Sequence, residues 1–468
     1  MKRELHKRLS TYSQEHLIAF WDELADEQRQ SIAEAIGRVD FALVERLFRD
    51  QSSGEDWATK AERATPPPAA RLNSLDNSFS ADAAAQRGRE ALSRGDMAVV
   101  IVAGGQGTRL GFDYPKGMFP IGPVSGSTLF RILFEKVLAT GRRYGVRVPL
   151  FVMTSSATHD ETVAYLQSER YFGLPPDEVR LFCQGQMPAV DLETGKLLLA
   201  SKHELALSPD GHGGMLAALA KSGGLDELER RAIRHLFYCQ VDNPLVPLCD
   251  PEFIGYHVLS RSELSTQVVA KQAPLEKVGN VAMIDGRMAI IEYSDLPEEV
   301  ANKRNSDGSL YLWAGNTGIH VFDVTFLRRM SGSATALPFH LARKKVAHVN
   351  PAGELIEPEA PNALKFERFI FDLLPAAERG FVMEVDARRA FAPVKNGPGE
   401  PRDTPKTVQE QMVNLHTEWL AAAGAKVEPR IAVEISPLFA MDEEDLLSRR
   451  REVRLGPELQ VTQPRFFC

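Results

Sequence analysis

The sequence predicts an α/β fold in which a mixed, mostly parallel sheet is covered by helices on both faces. Two observations support this prediction. Four consecutive β-branched residues, 99–102, form a short apolar run, and a glycine-rich turn follows them at once. Further along the chain, apolar strand-like runs alternate with helix-like segments, which is the pattern of parallel strands joined by crossover helices.

The chain before the central strand is predicted to be helical. Residues 1 to about 50 repeat large apolar side chains at helical spacing, so amphipathic helices are expected there. Residues 52–75 are polar and contain three consecutive prolines, 66–68, which predicts a linker without regular structure. A second helical stretch, near residues 81–93, leads into the central strand.

The same periodicities predict the strands and helices of the core and of the C-terminal part. Strands are predicted at Val148–Met153, His235–Val241 and Ser265–Lys271, with a helix over 158–167 and a hairpin over Val278–Tyr293. After residue 400 we predict a helix over 405–422 and short strands around 427–433 and 453–461. The predicted organisation is an N-terminal helical region with its linker over 1–95, a core over 96–398 and a small C-terminal domain over 399–468.

The turn after the first strand has the composition of a phosphate-binding loop. It reads Ala103-Gly104-Gly105-Gln106-Gly107-Thr108-Arg109-Leu110-Gly111, with Pro115-Lys116 shortly after. Glycine lets backbone N–H groups approach a phosphate closely, and Arg109 and Lys116 supply positive charge. The loop lacks the Lys-Ser/Thr of a P-loop, and one glycine gap is a residue too long for a dinucleotide fingerprint. It fits a nucleotidyltransferase signature in full; a plain strand-to-helix turn is the alternative.

Other candidate residues lie at strand ends and turns. Asp242 follows a buried strand, where a carboxylate is well placed to hold Mg²⁺ on a nucleotide phosphate, although an Asx turn would also explain it. Lys395 is either a further cation of the site or an ordinary surface lysine. Gln184 offers an amide that suits the edge of a pyrimidine base, although a surface loop is the simpler interpretation.

Residues suited to a sugar occur further along the chain. Glu292 ends the predicted hairpin and Asn316 lies in a glycine-rich stretch, so an acid and an amide are available for neighbouring hydroxyl groups. His212, with glycines on both sides, is a candidate donor to a sugar hydroxyl; an exposed histidine in a flexible turn is the alternative. Phe369 and Phe371 are expected in the core on the basis of residue type alone.

Composition argues against several classes of protein. The net charge is −8 and no basic face is evident, so no nucleic-acid partner is predicted. No apolar stretch reaches the length of a membrane span, the first residues do not resemble a signal peptide, and the four cysteines form no Cys-x-x-Cys pair. No Cys/His or Ser/His/Asp pairing suggests covalent catalysis. We expect a cytoplasmic enzyme without a membrane partner.

The signature loop resembles that of the eukaryotic-type UDP-sugar pyrophosphorylases, most of all the members that make UDP-N-acetylglucosamine. The similarity covers nearly the whole chain and includes Phe20-Trp21-Asp22-Glu23-Leu24, Asp242-Asn243, Glu292-Tyr293-Ser294, Gly315-Asn316, Lys395-Asn396 and Glu434-Ile435-Ser436-Pro437-Leu438. The resemblance implies a Rossmann-like nucleotidyltransferase core. It also implies that UTP and a sugar 1-phosphate, in the first place N-acetylglucosamine 1-phosphate, react to give a UDP-sugar and pyrophosphate.

The same resemblance implies a role for each candidate residue. Nucleotide contacts are implied for Ala103, Gly104 and Gly105, and uracil contacts for Gln184 and Gly211. Arg109 and Lys116 would neutralise pyrophosphate, Asp242 would carry Mg²⁺ or Mn²⁺, and Lys395 would hold the sugar phosphate or the α-phosphate. Sugar contacts are implied for Gly279, Glu292 and Asn316, with Phe369 and Phe371 lining the acetamido pocket.

One residue departs from the family pattern. Position 212 is histidine, where the N-acetylglucosamine enzymes usually carry asparagine, and histidine there is similar to the glucose 1-phosphate and broad-specificity enzymes. A UTP–glucose-1-phosphate uridylyltransferase or a broad-specificity UDP-sugar pyrophosphorylase is therefore the alternative. A UDP-sugar-binding protein without turnover and a nicotinamide-dependent oxidoreductase are further alternatives. The sequence leaves open whether the protein is a monomer or a homo-oligomer.

Overall fold

The computed structural model describes residues 1–50, 57–333, 337–450, 456 and 459–468. The chain divides into two compact units, each assembled from three separate stretches of sequence. The smaller unit consists of Met1–Asp56, Gln184–Ala217 and Ala334–Asp372, and the larger unit of Trp57–Cys183, Ala218–Ser333 and Leu373–Cys468. The three predicted segments, by contrast, are each continuous in sequence.

A nine-stranded sheet forms the centre of the larger unit. Its strands are β1 (Met97–Val102), β2 (Leu150–Thr154), β3 (Val179–Cys183), β4 (His235–Gln240), β5 (Leu264–Ala270), β6 (Asn280–Ile284), β7 (Arg287–Ile291), β8 (Ala314–Asp323) and β9 (Gly380–Glu384). They lie in the order β7-β6-β8-β4-β1-β2-β3, and β5 pairs with β8 and β9. The neighbours β4-β1-β2-β3 are parallel, whereas β8 is antiparallel to β4 and β5. The mixed α/β sheet predicted from the sequence is confirmed.

The central strands are buried because their side chains are almost all apolar. In β1, Val100 lies opposite Phe151 of β2 on one side and Tyr238 of β4 on the other. Helix Leu129–Tyr144 packs on this core through residues such as Leu133. It begins after Thr128, whose hydroxyl accepts a hydrogen bond from a backbone N–H, and it ends at a glycine in the left-handed conformation.

The larger unit contains many further helices around the sheet. Its other α-helices are Trp57–Glu62, Ala81–Ser93, His159–Ser168, Gly224–Arg230, Pro251–Leu259, Glu298–Ala301, Val324–Ser331, Ala387–Ala390, Pro405–Ala422 and Glu443–Arg449, while Gly214–Lys221 runs from the smaller unit into it. Short 3₁₀ helices are Thr108–Leu110, Lys116–Met118, Arg170–Gly173, Pro176–Glu178 and Ile370–Ala376, the last again shared. Among the helices that the structure describes, none combines the length and apolarity needed to cross a membrane.

The smaller unit joins the N-terminal helices to strands from two insertions. Its helices are Lys2–Ser10, Asp26–Arg38 and Phe41–Arg49, with 3₁₀ turns Glu15–Ile18 and Trp21–Glu23. Its strands are Gln186–Pro188, Val190–Asp191, Leu199–Ser201, Glu204–Leu205, Leu207–Pro209, His340–Lys344, His348–Val349, Leu355–Ile356 and Ala363–Glu367. Trp21 and Ile32 from the helices share one buried cluster with Val190 and Phe366 from the strands.

The prediction of an unstructured linker over 52–75 is wrong for part of its length. Residues 57–62 form a helix, and the segment after it pairs with the sheet at two isolated points. Thr65 N–H donates to the Met283 carbonyl and Ala70 N–H donates to the Val382 carbonyl, each at 2.9 Å. The prolines prevent a continuous strand but permit an extended segment that bonds on either side of them. Residues 51–56 lie outside the described part of the chain.

The C-terminal residues have a hydrophobic cluster of their own. Helix Pro405–Ala422 is followed by the short strands Lys426–Val427, Val433–Ile435, Gln460–Val461 and Arg465–Phe467. Leu420, Val433 and Val461 belong to one buried cluster. Of the strand predicted around 453–461, residues 453–455 and 457–458 lie outside the described residues, and the described part has its strand at its end.

Two helices of the larger unit cross at unusually close range. Helix Ala81–Ser93 meets helix Pro251–Leu259 where each contributes a glycine, Gly88 and Gly255. A Cβ atom on Gly88 would lie 1.8 Å from the Pro251 carbonyl oxygen, and one on Gly255 would lie 1.6 Å from the Ala84 carbonyl oxygen. The crossing therefore requires backbone-to-backbone contact that only glycine permits.

Gly88→Ala is expected to destabilise the protein by about 1–3 kcal/mol, because the added methyl group forces apart a packed crossing. Urea unfolding should show the loss as a lower midpoint. Gly332→Ala is the matched control in the same unit, since Gly332 has an ordinary φ of −82° and its Cβ would lie 3.7 Å from the nearest atom. Equal midpoints for the two variants would contradict the packing described here.

Candidate functional site

The glycine-rich loop after β1 folds back on itself and is fixed at both ends. The Lys116 N–H donates to the Gly105 carbonyl at 3.0 Å, and the Gly107 N–H donates to the Tyr114 carbonyl at 3.0 Å. Gly107 is sterically required, because a Cβ atom there would lie 2.7 Å from the Phe112 side chain. A Cβ atom on Gly105 would meet nothing within 4 Å. The loop therefore keeps a defined shape while leaving the backbone near Gly105 open to a ligand.

The two cations of the loop have different surroundings. The Lys116 ammonium lies 3.2 Å from a carboxylate oxygen of Asp242, just after β4, and both side chains are largely buried. The Arg109 guanidinium is exposed and makes no hydrogen bond or ion pair with any residue that the structure describes. The structure thus brings the predicted residues Lys116 and Asp242 together and leaves Arg109 available to an anion.

Asn243 ties the segment that leads to Lys395 to the end of β4. Its side-chain amide donates to the Ala390 carbonyl at 2.8 Å and accepts from the Ala392 N–H at 3.1 Å. The Val394 N–H donates to the Asp242 carbonyl at 2.9 Å. These bonds hold Lys395 beside Asp242, although the two residues are far apart in sequence. The sequence does not predict this positioning role of Asn243.

Asp403 is a second carboxylate near Lys395, and the sequence does not predict it as part of the site. Its carbonyl accepts from the Lys395 N–H at 2.8 Å and from the Asn396 N–H at 2.9 Å. Its φ of +58° is rare for a residue other than glycine. Burial raises the pKa of its carboxyl, and Lys395 opposes that shift while Asp242 adds to it. The only local signal is the Thr-Pro pair after it, which marks a helix start and not a site.

Lys136 holds the turn that follows Asn243. Its ammonium donates to the Pro244 and Val246 carbonyls, each at 2.7 Å. Burial lowers the pKa of Lys136 to about 7. A buried ammonium bonded to carbonyl oxygens in place of a carboxylate fixes backbone position without cancelling charge.

Three of the predicted sugar-binding residues come together beside β6 and β8. The Asn316 N–H donates to the Gly279 carbonyl at 2.8 Å. A Cβ atom on Gly279 would lie 3.1 Å from a carboxylate oxygen of Glu292, so glycine keeps this cluster open. The Asn316 amide oxygen accepts from the Gly318 N–H at 3.0 Å, which orients its NH₂ group. An acid and an oriented amide in one cluster can bind adjacent hydroxyl groups.

The predicted uracil-binding residues lie side by side in the smaller unit. Strands Gln186–Pro188 and Leu207–Pro209 are antiparallel, with Gln186 opposite Pro209. The Asp210 N–H donates to the Gly185 carbonyl at 3.1 Å, which extends the pairing by one residue. Gln184 precedes Gly185 and Gly211 follows Asp210, so the two residues adjoin this bonded pair on neighbouring segments. The structure therefore places an amide side chain next to a glycine backbone.

His212, Phe369 and Phe371 form a ring cluster in the smaller unit. The centroids of Phe369 and Phe371 lie 5.3 and 5.4 Å from that of His212. The Ile370 N–H donates to His212 Nδ1 at 3.3 Å. Burial, with a smaller contribution from His340, lowers the pKa of His212 to about 4. His212 is therefore neutral near pH 7, with its proton on Nε2, and the alternative of an exposed histidine in a flexible turn is wrong.

The two units carry different kinds of binding groups. The larger unit holds a phosphate-type loop, cations, a carboxylate and a hydroxyl-binding cluster, and the smaller unit holds an amide and an aromatic cluster. Among the described residues, no group of three or more His, Cys, Asp or Glu side chains is arranged to hold a metal ion by itself.

Comparison with known proteins gives one consistent result. A family model described as UTP–glucose-1-phosphate uridylyltransferase matches residues 41–412. The human UDP-N-acetylhexosamine pyrophosphorylase-like protein 1 is 35% identical over 95% of this chain and 94% of its own. The UDP-N-acetylglucosamine pyrophosphorylase of Saccharomyces cerevisiae is 34% identical over 94% of this chain and 92% of its own.

Two solved structures that are similar in fold to this chain carry the same kind of name as the sequence relatives. A putative UDP-N-acetylglucosamine pyrophosphorylase from Entamoeba histolytica has a TM-score of 0.77 at 31% identity, covering 86% of this chain and all of its own. The uridine diphosphate N-acetylglucosamine pyrophosphorylase from Trypanosoma brucei, solved with an inhibitor, has a TM-score of 0.82 at 25% identity. That match covers 100% of this chain and 98% of the other.

The free energy of unfolding is expected to rise with pH above neutrality because of Lys136. The pKa of Lys136 is about 7 in the folded protein, against about 10.4 for an unfolded lysine. Between these values the unfolded chain binds a proton that the folded chain does not, so stability rises by up to about 1.4 kcal/mol per pH unit. Urea titrations of the wild type and Lys136→Met between about pH 7 and pH 9 should diverge as the pH rises.

Lys221→Met is the matched control for this titration, because Lys221 is an exposed lysine of the same unit. Its pH dependence should follow that of the wild type. A Lys136→Met curve that runs parallel to the wild type would show that the Lys136 ammonium is not buried as described.

Proposed function

The chain belongs to the UTP–glucose-1-phosphate uridylyltransferase family, and on that premise we propose that it makes UDP-N-acetylglucosamine from UTP and N-acetylglucosamine 1-phosphate. The observation that carries the proposal is the junction at the end of β4. There Asp242 contacts Lys116 of the glycine-rich loop, and backbone bonds hold the segment that ends in Lys395. A phosphate-type loop, a carboxylate and two cations at one strand end are the groups that phosphoryl chemistry needs.

In the proposed reaction, a phosphate oxygen of the sugar 1-phosphate attacks the α-phosphorus of UTP. A new P–O bond forms, the bond between the α-phosphorus and the bridging oxygen breaks, and pyrophosphate leaves with the electron pair. Arg109 and Lys116 take up the negative charge of the leaving pyrophosphate, and Lys395 holds the sugar phosphate or the α-phosphate. The chain contributes position and charge, and no covalent intermediate is required.

Asp242 fits a magnesium ion that is shared with the substrate. Mg²⁺ in nucleotide sites is usually held by one or two carboxylates together with substrate phosphates and water, so one protein carboxylate is sufficient. Asp242 stands at the carboxyl end of β4 and is already within reach of a charged group, Lys116, at 3.2 Å. When bound, the ion would neutralise charge on the phosphates. Mn²⁺ has the same preference for oxygen ligands.

The sugar is assigned to two clusters in this proposal. Gly279, Glu292 and Asn316 would bind hydroxyl groups, while His212, Phe369 and Phe371 would surround the 2-acetamido substituent. Glucose 1-phosphate is the second candidate, because a histidine stands at position 212. We place the reaction in the cytoplasm, since all four cysteines are free, as in a reducing compartment.

A pyrophosphate-release assay tests the proposed function directly. With UTP and Mg²⁺, N-acetylglucosamine 1-phosphate should give a kcat/KM at least about tenfold higher than glucose or galactose 1-phosphate, because the aromatic cluster matches an acetamido group. A preference for glucose 1-phosphate would overturn the choice of sugar while leaving uridylyl transfer intact. Pyrophosphate release with none of the three sugars would overturn the reaction itself.

Arg109→Ala is expected to lower kcat by about 10²-fold or more, because it removes a cation that stabilises charge on the leaving group. The fold should be unaffected, since the Arg109 side chain is exposed. Arg142→Ala is the control, because Arg142 is an exposed arginine of helix Leu129–Tyr144 in the same unit. Normal turnover of Arg109→Ala in the pyrophosphate assay would remove Arg109 from the mechanism.

A further inference from the structure

We propose that Asp210 and Arg368 form an ion pair that positions the uracil-binding and sugar-binding segments of the smaller unit. This inference rests on the proposed function and assigns positioning roles to two residues outside its list of ligand contacts. Asp210 precedes Gly211 and His212, and Arg368 precedes Phe369 and Phe371.

The two residues are joined both through their side chains and through their backbones. A guanidinium nitrogen of Arg368 lies 2.5 Å from a carboxylate oxygen of Asp210, and only 4% of the Asp210 side chain is exposed. The Arg368 N–H also donates to the Asp210 carbonyl at 2.8 Å. The Arg368 guanidinium lies 4.7 Å from the centre of the Phe339 ring, which restricts it further. Two chain segments are thus fixed to each other at a single point.

The pair also fixes a third segment and the following loop. The Asp210 N–H donates to the Gly185 carbonyl at 3.1 Å, next to Gln184. The Gly213 N–H donates to the Arg368 carbonyl at 2.7 Å, on the far side of His212. Every predicted ligand contact of the smaller unit therefore lies within three residues of a group bonded to this pair.

The glycines around His212 make room for the pair. A Cβ atom on Gly214 would lie 2.0 Å from one carboxylate oxygen of Asp210, and one on Gly185 would lie 2.7 Å from the other. A Cβ atom on Gly211, whose φ is +83°, would lie 2.4 Å from the Arg368 carbonyl oxygen. The glycines of this turn therefore accommodate the side chain of Asp210 and the backbone of Arg368.

The geometry of the pair favours a positioning role over one of stability alone. Arginine and carboxylate can form two parallel hydrogen bonds, which is the stronger arrangement. Here the second carboxylate oxygen of Asp210 and the Nε of Arg368 are buried without a hydrogen bond to any described residue. Buried polar atoms without a hydrogen bond lower the stability of the fold. The ion pair is therefore better explained by the chain segments that it holds in place.

Kinetics of the reverse reaction, in which the UDP-sugar and pyrophosphate are the substrates, can test this role. In the proposal the positioned segments bind the base and the sugar, whereas the phosphate-binding residues belong to the larger unit. Asp210→Asn keeps the size of the side chain and removes its charge. It should raise KM for the UDP-sugar in the reverse reaction by about tenfold or more, since displaced binding groups hold the base and the sugar less well. KM for pyrophosphate should change by less than about threefold. Equal changes in both constants, or none, would overturn the inference.

A double-mutant cycle separates the pair from its members. Asp210→Asn, Arg368→Met and the double variant should show losses that are clearly less than additive, because each single change already breaks the same bond. Arg368→Lys, which keeps the charge, should recover part of the loss. If Asp210→Asn fails to fold by circular dichroism, Arg368→Lys carries the same test of the two KM values. Additive losses would contradict a shared role.

Controls distinguish this inference from the proposed function. Glu23→Gln breaks another ion pair of the smaller unit, Glu23 with Lys202 at 2.6 Å, and should leave both KM values unchanged. A wild type without pyrophosphate release would overturn the proposed function. An active wild type whose Asp210 and Arg368 variants keep both KM values would leave the function standing and overturn the positioning role.

Discussion

The attachment of the Lys395 segment to the end of β4 is the constraint on which the candidate site depends. One backbone hydrogen bond joins Val394 to Asp242, and the buried Asn243 amide bonds to backbone groups 147 and 149 residues further along the chain. Leaving such buried groups unsatisfied is costly, so the two segments separate only with the loss of several bonds at once. A carboxylate and a cation from distant parts of the sequence are therefore held together by backbone geometry, and their mutual attraction is not needed for it.

Charge around this strand end is balanced unevenly, in a way that suits an anionic ligand. Lys116 has Asp242 as a partner, whereas the Arg109 side chain is bonded to no described residue. If every cation were neutralised by a protein carboxylate, a polyphosphate would have to break those pairs before it bound. Because some positive charge is left uncompensated by the protein, the electrostatic attraction of the loop is available to the substrate.

The sheet and most helices could be predicted because their signals are local. The apolar run of β1 and the Asp285-Gly286 hairpin turn between β6 and β7 are readable from a few neighbouring residues. The site was predictable only through its motif and through the family resemblance. Asn243 and Lys136 bond to backbone groups contributed by distant segments, and no local pattern records such partners. Helix Trp57–Glu62 and the assembly of the smaller unit from three stretches likewise depend on long-range packing.

On the proposed assignment of the sugar-binding residues, the choice of sugar depends on the surroundings of His212. Since Nδ1 accepts from the Ile370 N–H, the neutral ring presents a donor at Nε2, whereas an asparagine amide presents both a donor and an acceptor. A hydroxyl oxygen and an acetamido carbonyl both accept a hydrogen bond, so the histidine alone does not separate glucose from N-acetylglucosamine. Phe369 and Phe371, with ring centroids 5.2 Å apart, add an apolar surface that a methyl group can fill and a hydroxyl cannot use. Because Arg368 fixes the start of that aromatic segment, the proposed assignment implies that the selectivity between the two sugars depends on the ion pair as well as on the rings.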